Sequence, residues 1–418
     1  VETLAPPSPA IPAPGAASPA AAVSSAPPPA PARLTSLDAY RGAIMLYMAS
    51  HGLGIARVAQ SMPDTVWPSL VWWFDHVAWT GCSTWDLIQP AFMFMVGVAV
   101  PYSYARRTEQ GHSFRKQYGH ALVRAAVLIL LAVFLASGSA AGRTTRWEFT
   151  NVLGQIGLGY PFLLFLINRR FSVQATVAGA ILAGYWALFA LYPLAAGGFN
   201  YAAVGVTPAD ISGGAVLDGF FGHWSKNSNV AAAFDVWFLN LFPRATPFVF
   251  NAGGYATLNF VPSLATMIFG LMCGELLRSP RTSREKVRAL LVAGLALLVV
   301  GALAGFTVCP IVKRIWTPSW ALFSGGLVVW FLAAFYWVID VAGFRRWSRF
   351  LVVVGLNSIA IYLMSQLMRP WVGDLLRTHL GAGLFNGAYG PMTRDCLTLL
   401  VFWTICWWMY RRKIFLRI

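Results

Sequence analysis

The feature that most constrains this chain is the recurrence of apolar runs long enough to cross a bilayer. They lie near residues 40–58, 86–105, 119–138, 150–167, 172–193, 259–277, 287–306, 318–339, 350–369 and 393–410. A run of about 20 apolar residues is what a membrane-spanning helix requires. Ten such runs predict an all-α, polytopic transmembrane helical bundle. Composition agrees: 57% of residues are hydrophobic and 11% charged, against about 25% charged in an ordinary soluble domain. No ten-residue alternation suggests a β-barrel.

Charge then orients the bundle. The formal net charge is +16, but the basic residues sit in short connections between apolar runs, where they set orientation, and no nucleic-acid motif or separate basic domain is present. With the N-terminus on the cytoplasmic side, 21 of the 31 basic residues fall inside and 10 outside, the sign of the positive-inside rule. Ten spans with both termini cytoplasmic follow. Residues 1–32 are almost entirely Ala, Pro and Ser, with one charge, Glu2. Such a composition predicts a disordered tail and lacks the basic and apolar regions of a signal peptide. The transmembrane domain is expected over 33–418.

Trp67–Gly97 carries the most suggestive chemistry. A Trp-crowded loop holds Asp75 and His76, and Asp86 follows at the head of an apolar helix. On the orientation above, His76 lies on the outer side. Two readings stand. A histidine between two carboxylates at the membrane interface can move protons; equally, His76 can bond a loop carbonyl while Asp86 caps a helix. The connection Ala195–Tyr255 is long, aromatic and rich in Asn and Gly. It is either a ligand-binding segment, with a carbohydrate as a fitting ligand, or a folded lid over the bundle.

Other polar positions admit structural readings. Thr35 and Asp38 have capping-box spacing, and Asp38 and Arg41 share a helix face. Thr317 and Pro318 suit a helix start, with Trp316 and Trp320 marking the interface. Asn357 is either helix–helix glue or channel lining, and Glu275 can pair with Arg278. Five scattered cysteines form no CxxC motif, although a Cys82–Cys309 bridge is conceivable. No histidine pair has metal spacing, so no metal is expected. GxGxxG, P-loop, HExxH and GxSxG motifs are absent.

RLTSLDAYRG, FDHVAWTGCSTWDLIQPAFMFMVG, RIWTPSWALFSGG, FYWVIDV and GLNSIAIYL together resemble the heparan-α-glucosaminide N-acetyltransferase-like membrane acyltransferases, in the family's order and across most of 33–418. The resemblance implies transfer of an acetyl group from cytosolic acetyl-CoA, a co-substrate, to an amino sugar across the membrane. It places the active histidine at His76, with Asp86 of the Asp-Leu-x-x-Pro motif beside it. On that reading His76 is a general base or an acetyl carrier, and Asp75 or Asp86 orients it. Arg106, Arg107, Arg115 and Lys116 are candidates for the basic donor mouth. Asp38, Arg41, Asn259, Trp316, Ser319, Asn357 and Ser358 are candidate donor or acceptor contacts.

The chain departs from the family at Met48–Gly54 and at Gly253–Asn259, where acceptor contacts are expected, which leaves the acceptor and N- versus O-transfer open. The partners implied are acetyl-CoA, a glucosamine-like sugar or glycan and the lipid bilayer, with no nucleic acid; a homodimer is also open to it. A bacterial inner membrane with His76 toward the periplasm fits. The rival class is a proton-coupled secondary transporter using His76, Asp86 and Glu275.

Overall fold

The computed structural model describes residues 1–3, 34–138 and 144–416, so the expected 1–32 tail lies almost wholly outside the described residues. Leu34–Ile418 forms one compact unit. Among the described residues the regular structure is helical, apart from one isolated bridge between Thr80 and Val312.

In chain order the helices are α1 (Thr35–Ala49), α2 (Ile55–Ser61), α3 (Trp67–Phe74), α4 (Ile88–Glu109), α5 (Phe114–Ser137), α6 (Val152–Leu163), α7 (Phe171–Ala190), α8 (Pro208–Ser212), α9 (Val230–Leu239) and α10 (Phe260–Arg278). There follow α11 (Ser283–Thr307), α12 (Pro318–Phe335), α13 (Arg349–Gly355), α14 (Ser358–Leu367), α15 (Arg369–Leu380) and α16 (Gly390–Arg411). Among the described residues, six stretches are long and apolar enough to cross a membrane, or seven if α13 and α14, bent by 75°, count as one. This is an integral membrane protein; the count of ten spans and the sides of the termini are not confirmed by length and composition.

The shortfall has physical causes. The expected 40–58 span is two helices, because His51, Gly52, Leu53 and Gly54 all adopt left-handed backbone, with φ of 53°, 66°, 50° and 67°. Two glycines make that run affordable, since left-handed backbone costs a residue with a Cβ. Around 150–167 the helical stretch Val152–Leu166 is short. The α13–α14 bend falls at Leu356–Asn357, inside the expected 350–369 span.

The helices pack through small residues. A Cβ on Gly97 would lie 1.9 Å from Met267 O, and one on Gly270 2.0 Å from Phe94 O, so α4 and α10 approach backbone to backbone. Gly42 and Gly355 bring α1 and α13 together in the same way, since a Cβ on either would meet a carbonyl oxygen of the other helix at 1.9 Å. In a bilayer, where lipid is as apolar as leucine, such close approach is what lets helices associate. Outward faces of α5 and α11 expose Leu130, Phe134, Leu303 and Phe306, as lipid-facing surfaces would.

The N-terminus of α1 is capped from far away. The Thr35–Asp38 capping box is not formed; Leu34 holds the cap position without a side-chain bond. The backbone N–H groups of Thr35 and Ser36 donate instead to Asp340, at 3.3 and 3.1 Å. Asp340 lies in the π-helical turn, Tyr336–Val341, that continues α12. Asp38 and Arg41 do pair, at 3.8 Å. All five cysteines are free, and Cys309 Sγ donates to Ser319 Oγ, so the conceivable Cys82–Cys309 bridge is not present.

Between α7 and α10, residues 195–255 fold into a lobe. Its core gathers Trp224, Ala215 and Ala231 around Trp79 of the His76 loop, with Cys309, Val312 and Ile315 from the turn before α12. Trp79 Nε1 donates to Trp224 O at 3.1 Å. The lobe is a packed structure tied to the loop that carries His76.

Candidate active site

Three segments meet at His76: the 75–87 loop entering α4, the end of α1, and the 308–317 turn entering α12. The loop is stitched to the turn by the Thr80–Val312 bridge and by Gly81 N–H donating to Ile311 O at 2.9 Å. From α1, Tyr47 donates to Trp73 O and meets Thr84 Oγ1 at 2.9 Å. Tyr47 also packs its ring against Trp85, at 5.0 Å between centroids. The Trp85 ring in turn lies 6.4 Å from the imidazole.

Asp86 holds the ring. Its Oδ1 lies 2.7 Å from His76 Nδ1. Its Oδ2 accepts from the N–H groups of Val77 (3.3 Å) and Ser83 (3.1 Å) and from Ser83 Oγ (2.9 Å). Four bonds on one carboxylate, with a side chain 2% exposed, make a rigid anionic clamp; a buried charge must be paired in this way. Asp86 therefore serves the loop and the imidazole rather than capping α4. Asp75 is elsewhere: its Oδ1 accepts the backbone N–H of His76 at 2.7 Å. Of the two carboxylates, only Asp86 reaches the ring.

A third group, Lys313, completes the cluster. Its Nζ stands 3.1 Å from His76 Nδ1 and 3.2 Å from Asp86 Oδ1, closing a triangle of three short contacts. Its side chain is 6% exposed, whereas His76 is 33% exposed. Lys313 was readable in the sequence only as one of the outer-side charges. The Lys-Arg pair beside two interfacial tryptophans gave no sign that one member turns inward. Arg314 donates to Gly253 O (2.8 Å) and Val77 O (3.4 Å), tying the lobe to the loop.

The structure distributes the other candidates. Asn259 donates to Arg314 O at 2.8 Å, which places it under the site, and its Oδ1 is buried without a partner among the described residues. Trp316 is buried and donates to Thr266 Oγ1 at 3.3 Å. Ser319 donates to Pro310 O at 2.8 Å and shapes the Lys313 turn. Asn357 bonds Ile414 O (3.1 Å) and the Leu416 N–H (3.1 Å), so its amide fastens the C-terminal segment rather than lining a channel. Ser358 opens α14 beside it.

Asp38 and Arg41 sit at the end of α1 away from Tyr47. Arg106 and Arg107 occupy the last turn of α4, at its end away from Asp86, with Arg115 and Lys116 across the turn on α5. Nearby is an open crevice of about 410 Å³ lined by Tyr104, Phe114, Phe165, Asn168 and Arg169 among others. Glu275 accepts from Asn168 N–H and Gln174 Nε2, both at 3.0 Å, while Arg278 donates to Pro101 O. Sixteen positions along α10 separate Glu275 from Asn259, about 24 Å at 1.5 Å per residue. Glu275 is thus remote from His76. Among the described residues no three of His, Cys, Asp and Glu cluster as a metal-binding group.

One carboxyl in the lobe has an altered titration. Asp235 on α9, buried beneath the lobe, accepts the Thr257 N–H at 2.9 Å. Burial pushes its carboxyl up to about 6 from 3.8, against the pull of the Thr257 bonds. The folded protein then keeps a proton that the unfolded chain releases, so stability is greatest below about pH 4 and falls as pH rises to about 6, by ~1.4 kcal/mol per unit crossed. Thermal unfolding of the detergent-solubilised protein between pH 4 and 7 is expected to show this slope, and Asp235→Asn to flatten it.

The fold and this cluster define a class: a polytopic helical membrane protein with a partly exposed histidine clamped by a buried carboxylate and lysine. No family model matches the chain. Over 422 residues it is 22% identical to the human (Homo sapiens) heparan-alpha-glucosaminide N-acetyltransferase, an alignment covering 93% of this chain and 60% of that protein. To the mouse (Mus musculus) protein of the same name it is 24% identical over 131 residues, 31% of this chain and 18% of the relative. The chain spans about 60% of the length of its human relative. The resemblance to heparan-α-glucosaminide N-acetyltransferases carried by its motifs therefore extends over nearly the whole chain.

Proposed function

We propose that this protein is a membrane-embedded acyltransferase that moves an acetyl group from acetyl-CoA to the amino group of a glucosamine-like sugar or glycan. The observation that carries the reading is the His76–Asp86 contact of 2.7 Å on Nδ1. It leaves Nε2 without a protein partner among the described residues, on a side chain open to solvent. Asp86, accepting from Nδ1–H, orients the ring and stabilises its charged form, as the acid of a triad does. The likeness to the two acetyltransferases supplies the chemistry.

In the proposed reaction the acceptor nitrogen attacks the thioester carbonyl while His76 Nε2 takes the nitrogen's proton. The tetrahedral intermediate collapses, its C–S bond breaks, and the departing sulfur takes the proton from the imidazolium. The products are the amide and the free CoA thiol. The route through an acetyl-imidazole remains the variant, distinguished by CoA release without acceptor. Acetyl-CoA enters from the cytoplasmic side, where Arg106, Arg107, Arg115, Lys116 and the adjoining crevice suit its phosphates. His76 faces the periplasm of a bacterial inner membrane, with both termini cytoplasmic. The transporter reading is weaker, because Glu275 stands too far from His76 to relay protons with it.

The test is thiol release by the purified protein given acetyl-CoA. Release that depends on added glucosamine is expected, together with N-acetylglucosamine as product. Donor bound but no acetylated sugar formed from glucosamine or its oligomers would overturn the reading.

A further inference from the structure

The Lys313 triangle raises a question of charge that the His76–Asp86 pair alone does not. Asp86 is buried with four hydrogen bonds, and a carboxylate in such a place requires one compensating cation. Two candidates touch the same oxygen: Lys313 Nζ at 3.2 Å and His76 Nδ1 at 2.7 Å. If the imidazole were the cation, it would have no free pair on Nε2 and could accept nothing. We propose that Lys313 is the resident counter-ion of Asp86, and that by filling this role it keeps His76 a neutral imidazole between turnovers. This rests on the acyltransferase reading of the site, and makes Lys313 a positioning residue acting through His76.

The geometry supports the assignment. An ammonium has three donors and no acceptor, so Lys313 donates to Asp86 Oδ1 while Nδ1–H donates to the same oxygen. The lysine is held for the task. Its turn is fixed by Thr317 Oγ1 accepting the Val312 N–H at 3.0 Å, by Gly81 on Ile311 O, and by Asn259 on Arg314 O. The side chain has almost no exposure with which to leave for water. The other ionisable groups around the imidazole are committed elsewhere. Asp75 bonds the His76 backbone, Arg314 bonds carbonyls of Val77 and Gly253, Tyr47 meets Thr84, and the Cys82 thiol, pushed up to about 12 by burial, is uncharged. No other cation contacts Asp86 among the described residues. When His76 takes the acceptor's proton, the cluster passes from neutral to a single positive charge, which leaves with the proton to the thiol.

Nitrogen NMR of the full-length protein, ¹⁵N-labelled at histidine and assigned with His76→Gln, reads the state directly and needs no activity. At pH 7 wild-type His76 is expected to show a neutral imidazole with its proton on Nδ1, and Lys313→Met an imidazolium. A charged imidazole in the wild type at pH 7 would overturn the proposal without any variant. In parallel, kcat/KM of Lys313→Met is expected to fall several-fold at pH 7 and to recover in alkali, its pH profile displaced upward from that of the wild type. Lys313→Arg, which restores the cation, should return the wild-type profile. Equal loss at every pH, with the imidazole still neutral in Lys313→Met, would assign Lys313 a merely structural role. If no acyl transfer is detected at all, the proposed function fails, while the NMR result still decides the place of Lys313.

Discussion

His76→Ala is expected to lower acetyl transfer by about 10²–10⁴-fold, the range over which a positioned acid–base group contributes. The loss should fall on kcat, because the imidazole is needed when the proton moves rather than when substrates bind. Acetyl-CoA affinity, measured by calorimetry on the solubilised protein, should stay within a few-fold of wild type, since the proposed donor mouth at the far ends of α4 and α5 is untouched. The fold should also survive, because the side chain is 33% exposed and its ring contacts are few. Turnover that persists unchanged would remove His76 from the chemistry.

Asp86→Ala should cost both stability and activity. Its carboxylate accepts from Ser83, Val77, His76 and Lys313. Removal leaves the Lys313 ammonium buried without its partner, and stranding one member of a buried ion pair costs about 3–5 kcal/mol. The loop loses its central acceptor at the same time. A large drop in melting temperature is therefore expected, with acetyl transfer as low as in His76→Ala. Asp86→Asn preserves the shape and some hydrogen bonds, so it should recover part of the stability and little of the activity, because an amide N–H turned toward Nδ1 selects the wrong imidazole tautomer. Full activity in Asp86→Asn would separate this residue from the mechanism.

The two results read together distinguish a working site from a folding element. His76 sits at the exposed tip of the triangle and Asp86 at its buried base. A purely structural cluster would lose stability from both and show no difference between kcat and donor binding.

The sequence reached far into this protein, but unevenly. Apolar runs located helices well, since a lipid environment demands runs of that kind and nothing else. They did not reveal that the first run breaks at His51–Gly54 or that another bends at Leu356–Asn357. Hydrophobicity averages over a window and does not register left-handed backbone. His76 and Asp86 were legible as a pair because ten residues of loop separate them, and local motifs survive in local sequence. Asp75 was indistinguishable from Asp86 as the orienting acid until the loop's path was known; its carboxylate turned out to serve the backbone. Asn357 was open to two readings, helix–helix glue or channel lining, and its amide holds the C-terminal segment 57 residues onward.

What the sequence by itself determined was the class of protein, the positions of its helices, and the histidine and carboxylate brought together within a single loop. Each is a property of composition or of short spacing. The tertiary structure alone decided the caps and counter-ions that come from afar: Asp340 on the start of α1, Trp224 over Trp79, and Lys313 on Asp86 across more than two hundred residues. The physical reason is common to all three. A buried polar group must be satisfied, but chain connectivity does not say by whom, and only packing brings the partner within hydrogen-bonding distance.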